Sequence, residues 1–189
     1  MTESDGDGAT AVVLDFLARG RTDTDRPRHK QSPLAYAVET SDFSLYELEL
    51  DDDADITIGD RVTVGSDQTE GIKRVRAVEY EGLSGGAQSE LEYVIEDLLE
   101  AEEKRFVDVY NEAGPITLRL HQLNLLPGIG KKLRNNILDT RKRKPFESYE
   151  DLEDRVSGLH DPKGILAERI LEEIRGDDLK YRIFANAEE

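Results

Sequence analysis

Residues 125–132 read LLPGIGKK: a proline and two glycines set in an apolar run, followed at once by two lysines. The stretch decides the fold through what it joins. Upstream, ITLRLHQLNL reads as a short helix, with Leu123 and Leu126 apolar at a three-residue step; downstream, KKLRNNILDTRKR has a helical pattern with Ile137 and Leu138 on its apolar side. Two helices meeting across L-P-G-I-G make a tight hairpin. Gly128 and Gly130 permit backbone conformations closed to other residues, Pro127 fixes the approach, and Ile129 points inward to lock the turn to both helices. With no side chains on the two glycines, the amides of the turn and of the next helix's first residues can touch a phosphate oxygen, with Lys131 and Lys132 at the lip.

Charge sharpens the reading. The 189-residue chain has 42 acidic and 25 basic residues, a formal net charge of -17 and a mean hydropathy of -0.61. Yet from Leu118 to Pro145 eight cations (Arg119, Lys131, Lys132, Arg134, Arg141, Lys142, Arg143, Lys144) stand against one acid, Asp139, a local +7 that leaves -24 for the remainder. The helix dipole favours cations at a C-terminus and accounts for part of RKRK. It disfavours Lys131, Lys132 and Arg134 at an N-terminus, where an external phosphate would make their placement favourable.

LLPGIGKK followed by an amphipathic helix resembles the helix-hairpin-helix motif, whose hairpin binds the nucleic-acid backbone without reading bases. The plainer alternative is a glycine-capped turn between helices. In the motif the fourth residue after the second glycine is usually alanine. Here it is Arg134, so either the helices splay or the guanidinium turns outward to the ligand. The continuation, RKRKPFESYEDLEDRVSGL, resembles the linker into a second such motif in tandem helix-hairpin-helix domains, with Phe146 and Leu152 as core anchors. Its hairpin, SGLHDPKGI, keeps Gly158 in a longer loop with Pro162 and Lys163, and is expected to keep the structural role without the cradle. Ser148 is expected to cap the helix between the two, with Asp151 in the third position, and GILAERILEEI to form a last helix before a tail whose Tyr181, Ile183 and Phe184 dock on a core as a last strand or a clamp.

The first part of the chain has a shorter period. AVVLDFL, LAYAVET, FSLYELELD, ITIGDRVTVG and GIKRVRAVEYEGL read as five strands separated by turn signals. Five short strands in roughly 70 residues are too few for a two-sheet sandwich, and a closed or partly open oligonucleotide-binding (OB) barrel disposes of their edges. The expected fold class is therefore α+β: an OB-like five-stranded barrel, a linking long helix and a tandem helix-hairpin-helix domain. The boundaries are a disordered tail over residues 1–9, the barrel over 10–84, the linking helix over 85–114 and the helical domain over 115–189, the long helix itself running from about Gln88 to Ala113 with an interruption at Glu102 and Glu103 that leaves only its two ends tightly packed. Arg26, Arg28 and Lys30 in the first long loop, and Lys73, Arg74 and Arg76 in the last strand, are candidate contacts for a single strand; a mobile polar loop explains the first group equally well. Tyr36, Phe43, Tyr46 and Tyr80 are candidate stacking groups, each more at home in a core.

Little points to catalysis. There is no cysteine, the three histidines (His29, His121, His160) lie in unrelated contexts, and DDDAD lacks the glycine and terminal glutamate of a calcium loop. The start of the chain lacks a signal-peptide pattern, and no 18-residue apolar span occurs. Excess acid with scarce lysine suits a salt-rich cytoplasm. The order of strands, long helix, PITLRLHQLNLLPGIGKK, RKPFESYEDL, DPKGILAERI and KYRIF resembles an uncharacterised archaeal family assigned to nucleic-acid binding without an established ligand. With the acid excess, that resemblance implies a haloarchaeal protein. The expectation is a non-enzymatic, cytoplasmic, monomeric nucleic-acid binder, RNA favoured over DNA, with no cofactor, metal or membrane. Its grip uses Gly128, Ile129, Gly130, Lys131, Lys132, Arg134, Arg141, Lys142, Arg143 and Lys144. The alternatives are a DNA-repair or recombination accessory factor and a protein-interaction scaffold.

Overall fold

The computed structural model of the chain describes residues 8–21, 25, 27, 31–176 and 178–185. The chain divides into two units, the second comprising Ile95–Ala187. The first contains β1 (Ala9–Leu17), β2 (Leu34–Glu39), β3 (Leu45–Leu50), β4 (Arg61–Val64) and β5 (Ile72–Ala77). They are ordered β4-β1-β2-β3-β5 with every neighbouring pair antiparallel, a curled half-barrel whose end strands are β4 and β5.

All five expected strands form, and alternation places their inward residues. Ala11 and Val13, Ala35 and Ala37, Leu48 and Leu50, and Val62 and Val64 make one core with Ile56 and Ile72. The other face is buried as well, with Val12, Leu14, Tyr36, Val38, Phe43 and Leu45 at most 7% exposed, which is why β1 and β2 read as near-continuous apolar runs. β4 is shorter than ITIGDRVTVG suggests. Asp60 N donates to Thr57 O (3.1 Å), the Asp60 carboxylate accepts from Thr57 N (2.9 Å), and Gly59 takes a positive φ of 87°, so residues 57–60 close a turn instead of extending the strand.

A register shift between Val13 and Asp15 bends β1. There Asp15 Oδ2 accepts from the Ser84 hydroxyl (2.5 Å), and Ser84 Oγ accepts from Ala87 N (3.1 Å), capping α1 (Gly85–Ala101).

The second unit holds the rest of α1, then α2 (Glu103–Glu112), α3 (Lys131–Arg143), α4 (Tyr149–Arg155) and α5 (Pro162–Arg175). The single long helix expected from Gln88 to Ala113 is instead two, broken at Glu102 (φ -113°, ψ 41°). Hydrogen bonding pulls two ways at the break: Arg105 reaches back to Glu102 (3.3 Å), while Glu103 accepts from Tyr149 N (2.9 Å). Phe106, Val107, Tyr110, Leu123, Ile137, Phe146, Leu152, Leu166 and Ile170 are buried, including both expected anchors. The Tyr110 and Tyr149 hydroxyls are spent on the carbonyls of Pro162 (2.7 Å) and Leu99 (2.6 Å).

Ser148 caps α4 as expected, accepting from Asp151 N (3.0 Å). The tail docks as a clamp, not a strand. Fully buried Glu173 accepts from Arg169 Nε (2.9 Å) and from the amides of Ile183, Phe184 and Ala185, at 2.8, 2.9 and 3.2 Å. Among the described residues no helix is long and apolar enough to cross a membrane.

Candidate nucleic-acid interface

The hairpin is built from the chain's own local chemistry. The segment before it, expected as a helix over ITLRLHQLNL, is mostly a loop ending in a single 3₁₀ turn, Gln122–Leu125. The Thr117 hydroxyl accepts from the amides of Arg119 (3.3 Å) and Leu120 (3.0 Å), competing with the helical ladder there. His121 caps the 3₁₀ turn through Nδ1, which accepts from Leu123 N (3.1 Å). Burial, together with the nearby Arg141 and Arg134, holds its imidazole below its ordinary range, in keeping with a neutral acceptor.

Then the chain turns. Ile129 N donates to Leu126 O (3.2 Å), Ile129 is buried, and Gly128 has φ +76°, a region side chains rarely adopt. Gly130 has an ordinary extended backbone (φ -88°, ψ -170°) and needs no glycine for conformation. A Cβ at either glycine would meet nothing within 4 Å, so both open to solvent. Gly130 is the N-cap of α3 and supplies no capping side chain, which leaves the first-turn amides of Lys131, Lys132 and Leu133 without the usual cap.

The Arg134 guanidinium turns back along the hairpin. Its Nη1 donates to Asn124 Oδ1 (3.0 Å), its Nε to Asn135 Oδ1 (3.3 Å), and Asn124 Nδ2 donates to Ile129 O (3.3 Å). The guanidinium thus braces the hairpin from behind, through Asn124, a residue the sequence reading did not single out. A polar side chain six residues before Gly130 was the available signal.

Along α3, Lys131, Lys132, Asn135, Asp139, Lys142 and Arg143 are exposed, opposite buried Ile137. At 100° per residue these positions share one face, a stripe about 18 Å long. Arg141 lies off this face. Its Nη1 donates to the carbonyls of Tyr110 (3.0 Å) and Ala113 (2.8 Å), satisfying the end of α2. Lys144 pairs with Glu147 at 3.2 Å, both largely exposed. Arg155, also missed, bonds the carbonyls of Thr140 (3.3 Å), Lys144 (2.7 Å) and Pro145 (3.3 Å) and so fixes where α3 ends.

The second hairpin repeats the turn of the first. Leu159 N donates to Val156 O (3.2 Å), Gly158 has φ +87°, and Val156 and Leu159 are buried as Leu126 and Ile129 are. One extra residue follows, and α5 is capped by Asp161, whose carboxylate accepts from Gly164 N (3.0 Å). The carboxylate occupies the helix terminus that Gly130 leaves open in the first hairpin.

In the half-barrel, Lys73 lies 3.7 Å from Asp51, and Arg76 pairs with Glu47 (3.1 Å), which Arg21 also binds. Arg74 is exposed, without an ion pair among the described residues. Arg26, Arg28 and Lys30 lie outside the described residues. Tyr36 and Phe43 are 3% and 2% exposed, core residues and not stacking platforms.

A curled antiparallel half-barrel followed by five helices, with acid set aside along one hairpin and its helix, defines an α+β protein of two units. The chain belongs to the DUF655 family, described as a protein of unknown function, whose model matches residues 7–186. It is 39% identical over 176 residues to the uncharacterised protein MJ0038 of Methanocaldococcus jannaschii, covering 92% of this chain and 78% of that one. The crystal structure of Af1531 from Archaeoglobus fulgidus is similar, with a TM-score of 0.84 and 39% identity, over 94% of this chain and 99% of that one.

Proposed function

We propose that the protein is a non-catalytic nucleic-acid-binding protein that holds a phosphate backbone at the first hairpin. One observation carries the reading: in a chain of net charge -17, the uncapped amides at the start of α3 lie beside two open glycines and the exposed Lys131 and Lys132. Cations at a helix N-terminus work against the dipole unless an anion joins them. The stripe continues through Lys142 and Arg143, so a backbone lying along α3 meets a second pair of cations about 16 Å from the first. Arg74 on β5, exposed and without an ion pair among the described residues, is the half-barrel residue free to add a contact. RNA is favoured over DNA, because a backbone clamp and a half-barrel in one chain suit structured or partly single-stranded RNA.

The acid excess fits a haloarchaeal cytoplasm. A binder with about six phosphate contacts loses about 10³ in affinity between 50 and 200 mM salt. In such a cytoplasm the directional amide bonds of the hairpin carry more of the affinity than bulk charge does. The test is fluorescence polarisation with labelled single-stranded RNA, single-stranded DNA and duplex DNA across a KCl series. Submicromolar binding to RNA that persists in high salt supports the reading. No binding to any of the three sinks it.

A further inference from the structure

The loop that leads into the hairpin presents one feature the backbone clamp does not use. Residues 116–120 are closed by Ile116 N and Thr117 N, which donate to Leu120 O at 2.8 and 3.0 Å, and by the Thr117 hydroxyl. Below them Pro115 and His121 form a β-bridge, Gln122 N donates to Gly114 O (2.9 Å), and the Gln122 side chain accepts from Gly114 N (2.9 Å). The loop is therefore tied at its neck and across its tip. At that tip Leu118 is 106% exposed. Among the described residues the exposed large apolar side chains are Ile58, Tyr93 and Leu118, and Leu118 is the one in the helical unit.

A loop tied at its neck and tip that displays a bare leucine holds out apolar surface whose burial in a complex would be favourable. Its flanks are Thr117 and Arg119, both exposed, and it opens the segment of +7 charge. A protein partner's interface core needs several adjoining apolar side chains, because specific interfaces bury over about 1,000 Å². One leucine among polar and cationic neighbours has the format of a wedge placed against an unstacked base step, with the cation holding the adjacent phosphate.

We propose that Leu118 is such a wedge: it inserts at a base step already loosened by a bulge or a helix-to-single-strand junction, while Arg119 contacts the flanking backbone. This rests on the nucleic-acid reading above and narrows its target from any backbone to an interrupted helix. A loosened step is the target because unstacking a regular step costs a few kcal/mol that one leucine does not recover.

The experiment uses the full-length protein with a hairpin carrying 2-aminopurine beside a one-nucleotide bulge, an uninterrupted duplex and a single strand, each as RNA and as DNA. Wild-type protein brightens the 2-aminopurine and prefers the bulged substrate about tenfold over the duplex. Leu118→Ala, which removes no internal contact, keeps its affinity for the single strand but loses both the brightening and the preference; Leu118→Met retains them. Brightening in the RNA or the DNA series assigns the polymer. If Leu118→Ala behaves as wild type on the bulged substrate, the wedge is overturned and the clamp stands. If wild-type protein binds none of the six substrates, the clamp fails and the wedge with it.

Discussion

Replacing Gly130 by aspartate should stabilise the helical unit and abolish binding, a pairing that few alternatives predict. Gly130 already has the extended backbone an N-cap requires, and a Cβ there meets nothing within 4 Å, so the substitution enters without strain. An aspartate cap gains a few tenths of a kcal/mol over glycine. Its charge at the positive end of α3 adds about 0.3–1 kcal/mol. For a unit of about 100 residues, a gain near 1 kcal/mol raises the melting temperature by about 4–8 °C.

Binding moves the other way. The carboxylate takes the amides a phosphate would use, each charge-assisted bond being worth about 1.5–3 kcal/mol. It also sets two like charges about 4 Å apart, near 4 kcal/mol at an effective dielectric constant of 20. Even with half of this lost to solvent and rearrangement, affinity falls at least 100-fold. Thermal unfolding and fluorescence polarisation on the same preparations read both effects, with Gly130→Ser as a neutral cap. A Gly130→Asp variant that unfolds later yet binds RNA within about threefold of wild type refutes the cradle. Gly128 is the poorer probe, because its φ of +76° makes any side chain there strained in its own right.

Arg134→Ala removes the brace to Asn124 and should cost about 1 kcal/mol in urea unfolding, its partial exposure discounting the full value of a charged hydrogen bond. It should leave the slope of log affinity against log salt unchanged; a slope smaller by about 1 would place the guanidinium on a phosphate instead. The imidazole of His121 is held below its unfolded value of 6.5, so its contribution to stability is complete above pH 6.5 and is lost as pH falls below it, where the unfolded chain takes the proton first. Comparing urea midpoints between pH 7.5 and 5, His121→Asn, which keeps an acceptor at the cap, should show a flatter decline; parallel curves would rule the histidine out. Glu173→Gln leaves buried Arg169 with only the half-exposed Glu172, at 3.5 Å, as counter-charge, and should cost toward the lower end of about 3–5 kcal/mol and open residues 181–185 to protease; a tail still resistant in that variant would show that Glu173 does not hold it.

The strands were legible because short runs rich in strand formers and bounded by turn signals mark strands even where burial of both faces erases the alternation, as in AVVL and LAYAV. The half-barrel's order was not, since the sequence does not say that β1 pairs with β4 across two intervening strands. The Gln88–Ala113 helix was read as one element whose apolar spacing is interrupted at Glu102 and Glu103, and the interruption marks where it divides; the bond from Tyr149 N to Glu103, 46 residues away in sequence, had no local signal. At the candidate site, the turn followed from glycine and isoleucine alone. Which cations face outward did not. Arg134 and Arg141 lie off the face of Lys131 and Lys142, and their guanidinium groups find internal partners that sequence does not name, Asn124 for one and the last carbonyls of α2 for the other. A run such as RKRK thus records charge without direction.

Asp161 gives the two hairpins different thermodynamic standing. At α5 the negative group is part of the chain, so its first turn is complete whenever the unit is folded and is indifferent to whatever the protein meets. Under the proposed function the same role at α3 falls to a group from outside, and that helix end would be finished only in a complex. Amides 131–133 should then report occupancy, exchanging with solvent until a phosphate backbone binds, while the Gly164 amide, 3.0 Å from its own carboxylate, serves as the internal reference in the same molecule.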